Sequence, residues 1–118
     1  MGLGSASNSE FVFLSHYADG MTFYAYGGNY PIRFLQNGVS RIHVHTNGNV
    51  GIGDTAPTAP LHVNGAVRVG SYAKAALPSA ATLGAGSMIY VSDDTAGATL
   101  AFSDGSVWRR SHDRQPVA

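Results

Sequence analysis

The sequence predicts an all-β fold made of short strands joined by tight turns. Apolar and polar residues alternate along much of the chain, as in Arg41–His45, and this is the period of a half-buried strand. Asn-Gly and Asp-Gly dipeptides recur between these runs, and both residue types tolerate the positive φ that tight turns require. Helix signals are almost absent: only Lys74–Leu77 has the pattern of a helical turn, which Pro78 and Gly84 would end.

Taken in order, the alternating runs predict strands in three regions. The N-terminal strands are Phe11–Leu14, Thr22–Tyr26, Ile32–Leu35 and Arg41–His45. The middle strands are Val50–Ile52, Leu61–Val63 and Ala66–Val69. The C-terminal strands are Met88–Ser92, Thr99–Phe102 and Val107–Arg110. With a proline-containing linker over residues 54–60 and a second break at 78–86, we expect an N-terminal β region (1–46), a Gly-rich neck (47–77) and a C-terminal three-strand β-meander (78–118).

A short repeat lies in the neck. Residues 47–53 and 64–70 both read Asn-Gly-x-Val-x-(Ile or Val)-Gly. Each unit is a turn and a short strand, which has too little apolar surface to be stable alone and gains a core by stacking or by packing with other chains. Gly51 and Gly53 also leave one strand face without side chains, so we expect either close approach of another backbone or a local bulge there.

Composition favours a surface that is buried in partners. Charged residues make up 12% of the chain, against about 25% in a typical soluble domain, and such depletion is typical of interface cores. The alternative is a weakly charged monomer. With seven basic and seven acidic residues the net charge is zero, so we expect no nucleic-acid partner. No apolar run is long enough for a membrane helix, so we also expect no membrane insertion.

Two segments resemble bacteriophage tail-fibre proteins. The first is Asn47–Gly53 with Pro57 and then Leu61–Gly65, and the second runs from Met88–Ser92 through Leu100–Arg110. The resemblance implies an elongated, intertwined homotrimer of the β-prism or triple-β-helix type, located in the virion as part of the tail fibre. Its implied partners are upstream fibre or baseplate proteins and a host-surface glycan or protein.

Two alternatives to a structural and attachment role in the fibre stay open. One is a prophage-derived bacterial adhesin or surface module. The other is a fragment of a polysaccharide-degrading tailspike, but the sequence shows no paired carboxylates in a cleft. Asp93-Asp94 reads as a turn, and Ser15-His16 lacks the geometry of a catalytic triad. We therefore expect no enzymatic activity and no catalytic residues.

His43 and His45 form the strongest candidate for metal binding. Residues two apart on a strand point to one face, and three chains around an axis would offer six imidazole nitrogens. Ile42 and Val44, on the other face, are the better core candidates. We therefore expect no metal and no cofactor, with Ile42 and Val44 more buried than His43 and His45.

Aromatic residues supply the receptor-binding candidates. Tyr24, Tyr26 and Tyr30 cluster around Gly27-Gly28-Asn29, and Tyr side chains on a β surface stack on sugars and hydrogen-bond to them. Packing across strands inside the trimer is the alternative for this cluster. Trp108, Arg109 and Arg110 form the second candidate surface. Its alternative is a tryptophan that closes the C-terminal meander.

Overall fold

The computed structural model describes the backbone of residues 12–17 and 20–25, and residues 29–118 in full. The chain divides into two compact units, residues 1–66 (unit 1) and residues 67–118 (unit 2). The described residues are predominantly β, as the sequence predicts. No helix among them is both long enough and apolar enough to span a lipid bilayer.

Unit 1 contains a two-stranded and a four-stranded sheet. The antiparallel hairpin pairs β1 (Val12–Tyr17) with β2 (Gly20–Ala25). The four-stranded sheet has the order β3-β4-β5-β6, formed by β3 (Ile32–Gln36), β4 (Val39–Val44), β5 (Val50–Ile52) and β6 (Leu61–Val63). Its first two pairs are antiparallel, and β5 pairs with β6 in parallel. Asn37 and Gly38 join β3 to β4 with φ angles of 51° and 75°, as a tight Asn-Gly hairpin turn requires.

Unit 2 is a four-stranded sheet with two short helical segments. Its strands are β7 (Ser71–Tyr72), β8 (Met88–Val91), β9 (Thr99–Ser103) and β10 (Trp108–Arg110). They lie in the order β10-β9-β8-β7, with only β7 and β8 parallel. A 3₁₀ turn (Lys74–Ala76) and helix α1 (Ala80–Leu83) connect β7 to β8.

The core of unit 2 forms between the sheet and these connections. Its buried apolar residues are Ala80, Ile89, Val91, Ala101 and Trp108. The indole Nε1 of Trp108 donates a hydrogen bond to the carbonyl of Pro78 at 2.7 Å. The hydroxyl of Ser103 donates to the carbonyl of Ala80 at 2.8 Å. These bonds satisfy the polar atoms that the core would otherwise leave unpaired.

Most predicted strands are present, and one is wrong. The bounds of Val50–Ile52 and Leu61–Val63 are confirmed. Residues 66–69 form no strand; the strand lies instead at Ser71–Tyr72, because β8 takes its parallel partner there, with the Tyr90 N–H donating to the Gly70 carbonyl at 2.8 Å. The second copy of the repeat, residues 64–70, therefore does not reproduce the strand of the first.

The predicted three-part division stays a prediction for the assembled particle. Within one chain, the strands of the neck are shared between the two units. β5 and β6 complete the sheet of unit 1, and β7 completes the sheet of unit 2.

Candidate functional site

The four-stranded sheet of unit 1 has one continuous apolar face. Partner residues on adjacent strands point to the same side of a sheet. The register therefore places two rows of four aliphatic or aromatic residues on one side, and these rows are defined here as the apolar face: Ile32, Val44, Val50 and Leu61, and Phe34, Ile42, Ile52 and Val63. No charged residue lies among them.

This apolar face is only partly buried: Ile32, Val44, Val50 and Val63 are half-buried, and the other four residues are exposed. Leu61 is 63% exposed and Phe34 is 50% exposed, and Ile42 and Ile52 are also exposed. Apart from Pro57, the buried apolar side chains among the described residues all belong to unit 2: Ala80, Ile89, Val91, Ala101 and Trp108. Contiguous apolar surface of this kind marks an interaction site.

Residues 53–60, which connect β5 to β6, lie over the centre of the opposite face of the same sheet, where His43 and Gly51 are buried. Arg33, His43, Gly51 and His62 form the central row of that face. A Cβ atom on Gly51 would lie 2.1 Å from the carbonyl oxygen of Asp54. The backbone that approaches the bare glycine is thus the chain's own, and it approaches only because position 51 has no side chain.

Side chains on both sides of Gly51 hold the 53–60 connection in place. The imidazole Nδ1 of His62 lies 2.8 Å from a carboxylate oxygen of Asp54 and 3.4 Å from the N–H of Thr58. The side-chain amide of Asn49 donates to the carbonyl of Pro57 at 3.0 Å, and Pro57 is buried. The side of the sheet that the connection covers is therefore polar, and the exposed side is apolar. In a soluble domain a sheet normally buries its apolar side and exposes its polar side.

The expectation that Ile42 and Val44 are more buried than the histidines is wrong for Ile42 and His43, whereas Val44 and His45 are both half-buried. His43 is 6% exposed, whereas Ile42 is 38% exposed. The alternation itself is correct, but the 53–60 connection crosses over Gly51 and so covers the face that carries His43. Within the described part of the chain, the Nδ1 atom of His43 has no hydrogen-bond partner.

His43 and His45 do share a face, as their spacing predicts. Their ring centroids lie 5.7 Å apart. His45 accepts a hydrogen bond at Nδ1 from the N–H of Asn47 at 3.3 Å, which ties it to the β4–β5 turn. No group of three or more His, Cys, Asp or Glu side chains comes together among the described residues in a way that could hold a metal ion.

The structure places the C-terminal candidates in or beside the core of unit 2. Trp108 is 6% exposed, which supports its role in closing the meander. The Arg109 guanidinium pairs with Asp104. Arg110 pairs with Asp94 at 3.1 Å and with Asp113 at 3.0 Å. Receptor binding by these residues stays a prediction, but their burial and ion pairs leave little of them to offer a ligand.

Of the three tyrosine candidates, Tyr30 is the one whose side chain the structure describes. Tyr24 lies in β2, where the structure describes the backbone alone, and Tyr26 lies outside the described residues. Tyr30 is described and is 50% exposed. Tyr30 is therefore the candidate whose side chain is described and exposed to a partner.

Asp94 holds the C-terminal residues of unit 2. Its carboxylate accepts hydrogen bonds from the N–H groups of Ala118 and Ala96, both at 2.8 Å, and from Arg110 at 3.1 Å. The bonds from Ala118, Ala96 and Arg110 together lower the pKa of Asp94 from 3.8 to about 2, although burial acts in the opposite direction. The predicted turn at Asp93-Asp94 is confirmed: the Gly97 N–H donates to the Asp94 carbonyl at 2.8 Å.

Comparisons with protein-family models, with curated proteins and with solved structures found no match. The apolar face was not predicted from sequence as an exposed surface. The sequence signal closest to it is Gly51, because a glycine inside a strand often marks a site where another backbone approaches closely.

Proposed function

We propose that this chain is a structural subunit of a homotrimeric, bacteriophage-type tail fibre, located in the virion, and that it contributes to attachment to the host surface. The observation that carries the proposal is the open apolar face of unit 1. The apolar faces of two further copies of the chain would pack against it. Upstream fibre or baseplate proteins would be the other partners.

The apolar face is unfavourable in an isolated chain. Full burial of a Val, Leu, Ile or Phe side chain stabilises by about 1.5–3 kcal/mol. Phe34, Ile42, Ile52 and Leu61 keep between 37% and 63% of their surface exposed, so association could gain on the order of 4 kcal/mol per chain from these four alone. Over three chains the gain is on the order of 12 kcal/mol, which is comparable with the roughly 5–15 kcal/mol stability of a domain.

The face is also suited to meet its own copies. Close to a threefold axis a residue meets the same residue of two other copies, so like charges would be brought together wherever the face near the axis carried charge. The two rows of the apolar face carry none. Three copies related by a threefold axis can therefore pack these faces around the axis without electrostatic repulsion. The number three comes from the resemblance of residues 47–65 and 88–110 to tail fibres.

Attachment would use side chains that point away from this packed axis. Three copies on one particle raise the avidity of weak individual contacts through their effective concentration. Tyr30, half exposed, is the aromatic candidate with a described surface, and aromatic side chains offer contact area at small entropic cost.

The proposal is tested by the particle mass. Light scattering after size exclusion should give about three times the chain mass of 12.3 kDa. Leu61→Asp should reduce the mass to that of one chain, because it places a charge at the most exposed position of the apolar face. Leu83→Asp is the matched control: Leu83 is a half-exposed leucine on α1 of unit 2, and its substitution should leave the trimer intact. A monomeric parent chain would refute the fibre proposal.

A further inference from the structure

The sheet of unit 2 has an outer side that the core does not use. β8 alternates buried Ile89 and Val91 with exposed Met88 and Tyr90, and Tyr90 pairs with exposed Leu100 of β9. Ser71 of β7 lies on the other flank of Tyr90 in the same row. Tyr90 is 40% exposed and Leu100 is 43% exposed, so an aromatic ring and an aliphatic side chain form the floor of this row.

The segment before β7 turns this row into a hollow. Val67, Arg68 and Val69 border it together with Ser71, Tyr90 and Leu100, and the hollow has a volume of about 300 Å³. Small-molecule sites begin at roughly this size and combine apolar walls with a few polar groups. The hollow has that composition: its lining residues carry three aliphatic side chains, one aromatic ring, two hydroxyls and one guanidinium.

The polar groups of the hollow are free to bind a ligand. Within the part of the chain that the structure describes, the side chains of Arg68, Ser71 and Tyr90 form no hydrogen bond and no ion pair. Arg109 and Arg110 of the same unit are both paired with carboxylates. An unpaired guanidinium in a hollow that an exposed aromatic ring also lines is therefore a feature that the fold itself does not require.

We propose that this hollow binds a sugar that carries a carboxylate, such as a hexuronate at the end of a surface polysaccharide. The ring of Tyr90 would stack on the C–H face of the sugar, with Leu100 and Val69 extending the apolar contact. Arg68 would pair with the carboxylate, for which its planar guanidinium is suited. The hydroxyl of Ser71 would bond to a sugar hydroxyl. The inference rests on the proposed attachment function. It names a ligand class for that function and a binding site in addition to Tyr30.

The experiment is a titration of the isotope-labelled full chain, followed by amide NMR, with methyl β-glucuronide and with its neutral counterpart methyl β-glucoside. The glucuronide should shift the signals of residues 67–71, 90 and 100. The glucoside should bind about tenfold more weakly, because it lacks the charge-assisted bond to Arg68. Equal binding of the two sugars, shifts located elsewhere, or no shift at millimolar sugar would overturn the inference.

Three variants sharpen the result. Arg68→Gln should remove the preference for the glucuronide, whereas Tyr90→Ala should abolish binding of both sugars. Arg114→Gln is the matched control, since Arg114 is an exposed arginine of the same unit outside the hollow, and it should bind like the parent. An equal loss in Arg114→Gln would show that only net charge matters and would also overturn the site.

Light scattering on the same samples separates this inference from the proposed function. A trimer that binds neither sugar would refute the hollow as a site and leave the fibre proposal standing. A monomer that binds the glucuronide through Arg68 and Tyr90 would support the site and refute the fibre.

Discussion

Units 1 and 2 each contain a four-stranded sheet with two antiparallel pairs and one parallel pair. They differ in what covers the apolar side. In unit 2, helix α1 and the C-terminal residues close over it around Trp108. In unit 1, the 53–60 connection covers the polar side and leaves the apolar face open. The same type of sheet thus has its apolar side covered in one unit, and in the other it leaves apolar side chains exposed.

The largest expected difference between the units concerns their aromatic residues. Trp108→Ala should destabilise unit 2 by about 4 kcal/mol, because it removes a buried indole and its bond to Pro78. Phe34→Ala, compared in the dissociated Leu61→Asp background, should cost about 1 kcal/mol, because half of the ring is already exposed. Amide hydrogen exchange measures both, since it reports each unit separately. Similar costs for the two substitutions would contradict the difference between the units.

Among the glycines that the structure describes in unit 1, Gly51 should be the most sensitive to substitution. Gly51→Ala places a methyl group against the Asp54 carbonyl and should cost about 3 kcal/mol, since a backbone carbonyl cannot move away as a flexible side chain could. Gly48→Ala is the control: Gly48 has a positive φ of 89° but open space around it, so the expected cost is only about 1 kcal/mol. Chemical denaturation measures both. Equal costs would mean that the 53–60 connection does not depend on the bare glycine.

These effects show what the sequence can and cannot predict. The bounds of β5 and β6 follow from alternation and from the flanking turns, and so does the common face of His43 and His45. Which face is covered does not follow, because alternation is the same for either choice and only the path of residues 53–60 decides between them. The β7 strand was misplaced for a related reason: its position depends on where β8 finds a partner, which is a tertiary effect.

Acid should affect unit 2 through Asp94. Its folded-state pKa of about 2 lies below the ordinary value of 3.8, so its ionised form stabilises unit 2 fully above pH 3.8. That contribution is lost as the pH falls towards 2. Thermal unfolding between pH 7 and pH 2 should therefore show a smaller decline for Asp94→Asn than for the parent. Asp93→Asn is the control, because Asp93 lies next in sequence and accepts a bond from Lys74 N–H alone; it should follow the parent.

The pH dependence should not disappear completely in Asp94→Asn. Asp104 has its pKa lowered to about 2 as well, by the N–H groups of Val107 and Ser106 and by Arg109. It therefore contributes in the same pH window with the same sign. A parent chain with no loss of stability below pH 4 would contradict both assignments.

The smallest expected effect concerns the buried histidine of unit 1. His43→Leu should stabilise the unit by about 1 kcal/mol, because it replaces a buried nitrogen that lacks a partner with an apolar group. His45→Leu should instead destabilise it slightly, since His45 accepts the bond from Asn47 N–H. Chemical denaturation of the two variants measures these opposite changes in the free energy of unfolding. Destabilisation by His43→Leu would show that its imidazole has a role which the covered face does not reveal.

The order of the strands has a consequence for the kinetics of folding. Every described strand pair joins strands that are consecutive along the chain, in all three sheets. Pairing between neighbours in sequence gives low contact order and small loop-closure cost, which favours rapid folding. Each sheet can therefore form within one chain, by a step whose rate is independent of protein concentration. Joining of three chains would follow as a slower step, and dilution would delay that step without changing the first.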